Sequence, residues 1–137
     1  MTEITDSVFG KMSYNHRWIK EENFLFLNKD FKVKVCAKAF NEKPITDEQR
    51  KSYSTLKSDY ESIVKDCTPI AIDYLNKFYS ANIQNETDLI NHITFTHIIF
   101  MQDGDTILLF DTDYDVENGI GIQIYPTMEI GPQDTFL

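Results

Sequence analysis

Residues 31–40, FKVKVCAKAF, alternate apolar and basic side chains. Phe31 and every second residue up to Ala39 are apolar, whereas Lys32, Lys34 and Lys38 occupy positions between them. Alternation with a period of two is typical of a strand with one buried face and one solvated face. The stretch therefore predicts a strand of an antiparallel sheet whose apolar face packs against other elements.

Similar runs predict further strands on both sides of this stretch. Before it, ENFLFLNKD predicts a strand ending in a turn at residues 28–30, and residues 8–14 predict a first strand that ends in a turn at residues 14–16. Later in the chain, residues 95–101, 106–111 and 119–125 are strand-like, and Asp103-Gly104 is a local hairpin signal because both residues tolerate positive φ. The closing MEIGPQDTFL predicts a short edge strand or a loop.

A helical pattern separates the two groups of strands. Thr46 opens TDEQ, a capping box in which Thr46 and Gln49 satisfy each other's backbone amides. Apolar or aromatic residues then recur in steps of three and four from Tyr53 to Phe78. Pro69 interrupts this run, which leaves two abutting helices or one kinked helix as alternatives. A short helical turn capped by Thr87 is expected in TDLINHI.

The order of strands, helix and strands predicts an α+β domain. We expect an antiparallel sheet of about five to seven strands, with one long helix or a kinked helix pair on one face, in the order β-β-β-α-α-β-β-β. Residues 1–137 contain no linker-like stretch and no repeat, so a single domain is expected. The apolar runs are strand-sized, and none approaches the roughly 20 residues that a membrane-spanning helix needs.

Charge is distributed unevenly along the chain. The formal net charge is −9, but residues 1–68 have a balance of +1 and residues 69–137 a balance of −10, with Lys77 as the only base of the second half. A strongly acidic segment repels phosphate, which disfavours nucleic acid and anionic membranes as partners of this half. It favours a basic protein partner, because a surface of one sign increases the rate of encounter.

The acidic stretch 111–122, DTDYDVENGIGI, invites comparison with a calcium loop. Asp111, Asp113 and Asp115 match the first three ligand positions of an EF-hand, but Val116 replaces the glycine at the sixth and Ile122 the glutamate at the twelfth. Strands, not helices, are expected on either side. The pattern therefore predicts no metal site, although weak calcium binding by the Asp111–Glu117 loop remains an alternative.

No catalytic signature accompanies these residues. His92 and His97 stand outside any zinc-binding pattern, and the chain has neither a GxSxG elbow nor a glycine-rich phosphate loop. Cys36 and Cys67 are far apart in sequence and are expected to be reduced, buried thiols. The tyrosines of the helical stripe are expected in the core or, as an alternative, at a protein interface. The sequence therefore predicts a protein without enzymatic activity and without a cofactor.

Two motifs resemble a family of small, uncharacterised bacterial domains. One is VFG at residues 8–10 followed by Trp18; the other is D-x-E-x-G-I-x-I, residues 115–122, followed by IGPQDTFL at residues 130–137. The resemblance implies no catalytic residues. Small acidic domains of this kind often lie beside polymorphic toxins, which implies an immunity-type role.

Together these observations predict a cytoplasmic protein-binding domain that neutralises a basic toxin domain. The N-terminus lacks the basic start and apolar run of a secretory signal, which favours the cytoplasm. A small-ligand or calcium-binding module is the alternative, and a domain of another role remains open. The residues expected to bind the partner are all acids of the second half: Asp103, Asp105, Asp111, Asp113, Asp115 and Glu117.

Overall fold

The computed structural model describes residues 1–137 and has the expected α+β architecture. Eight strands form one open sheet in which each strand lies beside its neighbours in the sequence. The strands are β1 (Glu3–Asp6), β2 (Gly10–Tyr14), β3 (Arg17–Phe26), β4 (Lys29–Lys38), β5 (Ile93–Phe100), β6 (Thr106–Thr112), β7 (Ile120–Tyr125) and β8 (Glu129–Gly131). The helices are α1 (Asp47–Tyr79) and α2 (Glu86–Ile90), and a short 3-10 turn spans Gln133–Thr135.

The sheet differs from the expected one in strand number and in direction at one position. It has eight strands, because β1 precedes the first strand that the sequence indicated and pairs with β2. All neighbours are antiparallel except β4 and β5, which are parallel, with Val35 opposite Ile98. Parallel neighbours require a crossover connection. Helix α1 lies in the connection between β4 and β5.

The stretch that alternates from Phe31 to Ala39 behaves as its pattern predicts. Its apolar side chains are buried and belong to the main core cluster, together with residues of α1. Lys32 and Lys34 are exposed on the opposite face. That outer face is not fully solvated, because Cys36 and Ile99 form a second, small apolar cluster there.

Helix α1 begins as the capping box predicts. The backbone amide of Gln49 donates to Thr46 Oγ1 at 3.1 Å, and the backbone amide of Thr46 donates to Gln49 Oε1 at 2.9 Å. Pro69 lies inside a single continuous helix of 33 residues, so the alternative of two abutting helices is wrong. The stripe residues from Tyr53 to Tyr74 are buried, except Tyr60, which is partly buried against the core. Leu75 is buried as well, whereas Phe78 is exposed.

Some turn and cap predictions are wrong by a few residues. The β3–β4 hairpin turns at Leu27 and Asn28, both with positive φ, whereas Lys29 already belongs to β4. Two-residue turns with two positive φ values match the twist of the strands that they join. Asn85, not Thr87, caps α2, because its side chain accepts from the Asp88 amide.

The hairpin at Asp103-Gly104 and the edge strand β8 are where the sequence places them. Both cysteines are buried and unpaired, as expected. Neither helix is both long enough and apolar enough to cross a membrane.

Candidate functional site

The six acids expected to bind a partner lie at opposite ends of β6. Asp103 and Asp105 precede the strand, and the other four are in or after its last two residues. A strand of seven residues is about 23 Å long at roughly 3.3 Å per residue. The structure therefore brings four of these acids into one segment and leaves Asp103 and Asp105 apart from them.

The turn with Asp103 and Asp105 packs against the start of α1. Ser52 Oγ donates to the Gly104 carbonyl at 2.6 Å, and the Asp105 amide donates to Asp103 Oδ1 at 3.0 Å. Desolvation and the neighbouring Asp103 raise the pKa of Asp105 above its ordinary value. These two acids thus belong to the turn between β5 and β6, which packs against α1.

The segment Asp111–Glu117, which we call the acidic loop, is fastened to the rest of the domain through Asp115. Tyr79 at the end of α1 donates its hydroxyl to Asp115 Oδ2 at 2.7 Å, and the Asn118 amide donates to Asp115 Oδ1 at 3.1 Å. These bonds hold the pKa of Asp115 below its usual value, and the bond to Asp115 raises the pKa of Tyr79. Gly119, at φ 58°, then allows the chain to enter β7.

A second attachment holds the middle of the acidic loop. His92 Nδ1 lies 2.9 Å from Asp113 Oδ2, and the Asp113 amide donates to the His92 carbonyl at 3.3 Å. The ring of Tyr114 packs on the imidazole at 4.8 Å, and its hydroxyl donates to the Ala81 carbonyl at 3.3 Å. The loop is therefore fixed through Asp113, Tyr114 and Asp115, which come just before its tip.

The tip of the loop presents an apolar side chain between acids. Val116 is 83% exposed and follows Asp115, and Glu117 is exposed beside it. Asp111 is also exposed, but it lies on the outer face of the sheet opposite Thr94 and makes no ion pair. An exposed apolar residue between two acids can contact a basic and partly apolar surface.

The loop does not have the geometry of a calcium site. Asp113 is directed to His92 and Asp115 to Tyr79 and Asn118, so their oxygens are engaged with different protein groups. No group of three or more His, Cys, Asp or Glu side chains converges to hold a metal ion. The arrangement gives no support to the calcium-binding alternative.

The sequence does not connect Tyr79 or His92 with the acidic loop. Tyr79 directly follows Phe78 in the aromatic stripe of the helix, and His92 belongs to no zinc-binding pattern. The helical spacing places Tyr79 near the end of α1 but gives no sign of Asp115, because the two residues are 36 positions apart. No local signal could have paired them.

The fold and the loop define an α+β domain with a fixed acidic surface at one end of its sheet. The chain belongs to the family described as domain of unknown function (DUF6985), whose sequence model matches residues 8–137. No curated protein and no solved structure matches the chain. The family description names no activity, so the immunity-type role stays a prediction.

Proposed function

We propose that this domain is a non-enzymatic, cytoplasmic protein-binding domain whose acidic loop binds a basic protein. We further propose that the partner is a toxin domain, which the chain neutralises as an immunity protein. The observation that supports this proposal best is the fixed loop, in which Asp113 and Asp115 are held in place and Val116, between Asp115 and Glu117, is exposed.

The fixation of the loop favours binding because little conformational freedom has to be lost. Tyr79 and His92 already hold Asp115 and Asp113 in place. Ordering a free loop on association would cost about 0.5–1.5 kcal/mol for each immobilised side chain. A loop that is ordered beforehand avoids much of this cost.

The charge of the second half supports a basic partner. Its balance of −10 and the exposed acids of the loop attract lysine and arginine side chains from a distance. Such side chains are those that a nuclease or another phosphate-binding toxin needs for its own substrate. Neutralisation would follow because the domain covers them.

We propose that the contact with the partner lies at one end of the sheet. Because the length of β6 separates the two groups of acids, a contact confined to one end of this strand reaches only one of the groups. Asp111, Asp113, Asp115 and Glu117 are therefore the residues proposed for contact. Asp103 and Asp105 contribute only to the long-range electrostatic attraction of the partner.

The test compares two variants of equal charge against the protein product of the neighbouring gene. The first combines Asp113→Asn with Glu117→Gln; the second, as a matched control, combines Asp103→Asn with Asp105→Asn. We expect the loop variant to lower the association rate by about threefold to tenfold at low salt, and the control to change it much less. Surface plasmon resonance at two salt concentrations measures both.

Two results would count against the proposal in different ways. If the two variants associate equally well, the acidic loop is not the contact surface. If the neighbouring product does not bind the unaltered domain, the immunity role is refuted whatever the variants do.

A further inference from the structure

Two cations without ion-pair partners, Arg17 and Lys38, lie on the outer face of the sheet, the face opposite α1. A pocket of about 360 Å³ opens there, and we call it the outer pocket. Its lining includes Arg17, Lys38, His97, Ile99, Leu109 and Asp111. Pockets that bind small molecules usually have volumes of about 300–1,000 Å³.

Strand pairing places like charges opposite one another at this pocket. Arg17 on β3 lies opposite Lys38 on β4, and both residues line the pocket. Like charges in directly opposite positions destabilise a sheet. The two opposed cations therefore lower the stability of the sheet, and destabilising arrangements of this kind are expected at functional sites.

The cations are not neutralised by the protein itself. Arg17 and Lys38 make no ion pair, although the chain has 22 acids and only 13 lysines and arginines. Arg17 Nε is buried without a hydrogen-bond acceptor. The guanidinium lies close to the Cys36 thiol, but burial raises the pKa of that thiol, which therefore stays neutral.

His97 presents a free nitrogen at the same place. The Thr96 hydroxyl donates to the Leu109 carbonyl at 3.2 Å, so its oxygen accepts from His97 Nδ1 at 2.9 Å. The proton of the neutral imidazole is thereby held on Nδ1. Nε2 makes no hydrogen bond within the protein. Burial and the nearby Arg17 and Lys34 lower the pKa of His97, so Nε2 is a hydrogen-bond acceptor at neutral pH.

Apolar and acidic groups complete the lining and restrict the ligand further. Ile99 and Leu109 are buried side chains in the same lining as the cations. Asp111 lies opposite Thr94, near the start of β5. Lys38 directly follows Ala37, which pairs with the last residue of β5, so Lys38 lies near the end of β5. The pocket therefore combines a cationic end, an apolar surface and a carboxylate at its other end.

We propose that the outer pocket binds a small organic anion, a phosphate monoester or a carboxylate, through Arg17 and Lys38. The apolar part of the ligand lies against Ile99 and Leu109, and His97 Nε2 accepts a hydrogen bond from a protonated oxygen of the ligand. This binding is separate from partner binding by the acidic loop. Asp111 borders both surfaces, so it is left unchanged in the tests of each.

The test is a calorimetric titration of the full chain with phenyl phosphate, benzoate, inorganic phosphate and benzyl alcohol. Phenyl phosphate represents phosphate monoesters and benzoate represents carboxylates. We expect at least one of them to bind more tightly than inorganic phosphate, which lacks the apolar part, and benzyl alcohol, which lacks the charge, not to bind. The absence of binding by both organic anions at millimolar concentration would overturn the proposal.

Three single variants locate the binding. Arg17→Gln and Lys38→Gln each remove one cation of the pocket, and we expect each to raise the Kd about tenfold, the effect of losing a hydrogen bond to a charged group. Lys32→Gln is the matched control, since Lys32 is on the same strand and the same face but outside the outer pocket. An equal effect of Lys32→Gln would show nonspecific attraction and refute the site.

Folding of the variants is checked independently by thermal unfolding. Because Arg17→Gln removes one of two opposed cations, we expect its Tm to be equal to or higher than that of the unaltered chain. Loss of anion binding together with an undiminished Tm separates a binding role of Arg17 from a structural role. A lowered Tm would show that Arg17 stabilises the sheet and would contradict the argument from like charges.

Discussion

Gln49 joins the start of α1 to the only parallel pair of strands, and its replacement by leucine gives a quantitative test of this fold. The side chain is fully buried. Its Nε2 donates to the carbonyls of Lys38 at 2.9 Å and Phe100 at 3.0 Å, which are the last residues of β4 and β5. Its Oε1 accepts from the Thr46 amide.

Gln49→Leu leaves these three backbone groups without their partner. The Phe100 carbonyl is fully buried, and we assign it about 2 kcal/mol; the Lys38 and Thr46 groups are partly buried, and we assign them about 1 kcal/mol each. The added apolar surface of leucine offsets about 1 kcal/mol. The expected loss in the free energy of unfolding is therefore about 3 kcal/mol.

Urea denaturation followed by circular dichroism measures this loss. With a slope of about 1.5 kcal/mol per molar urea, the midpoint should fall by about 2 M. Gln102→Leu is the control, because Gln102 is exposed and its side chain makes no hydrogen bond; we expect a change within about 0.5 kcal/mol. A loss below about 1 kcal/mol for Gln49→Leu would refute the reasoning.

Gln49→Glu tests the same hydrogen bonds through pH. A carboxylate facing two carbonyl oxygens is unfavourable, so the folded-state pKa of this glutamate should rise above the unfolded value of about 4.3. Its protonated form retains a donor, and stability is highest at low pH. As pH rises from the unfolded pKa towards the folded pKa, stability should decrease by about 1.4 kcal/mol per pH unit relative to the unaltered chain.

Two further changes test a buried ion pair and a glycine with positive φ. Asp6, with a side chain only 3% exposed, is paired with Arg50 at 2.7 Å; burial opposes ionisation, but the bonds from Arg50 and from the Phe9 amide outweigh it and lower the pKa of Asp6. Asp6→Asn should cost about 1–3 kcal/mol at neutral pH in urea denaturation, and the difference from the unaltered chain should shrink below about pH 4. Gly119→Ala should cost about 3 kcal/mol, because φ is 58° and its Cβ would lie 2.6 Å from the Phe110 carbonyl oxygen. Thermal unfolding checks this second change, and an unaltered Tm would contradict it.

The elements that follow from local pattern could be predicted because their signals are short-range. The alternation around Val35 and the capping box at Thr46 depend on neighbouring residues only, and both are present as expected. The turn is at Leu27-Asn28 and not at residues 28–30, because Leu27 adopts a positive φ, which is uncommon for leucine and has no local signal in the sequence. Strand β1 was missed because it is only four residues long.

The candidate sites required contacts between distant parts of the chain. The packing of α1 brings Tyr79 to Asp115, and the pairing of β3 with β4 places Arg17 opposite Lys38. The lysines of FKVKVCAKAF were visible as a solvated face, but their position beside His97 depends on the parallel pairing of β4 with β5. That pairing spans more than 50 residues of sequence.

The amino-acid sequence by itself determined the class of fold, the faces of the strands and the excess of acids in the second half. Periodicity and composition are properties of neighbouring residues or of simple sums, and they do not depend on how the chain is arranged in space. Only the tertiary structure decided which charges share a surface. It separated Asp103 from Asp113 by the length of β6 and gathered cations on the outer face, because strand direction and register set the distances between side chains that are remote in the chain.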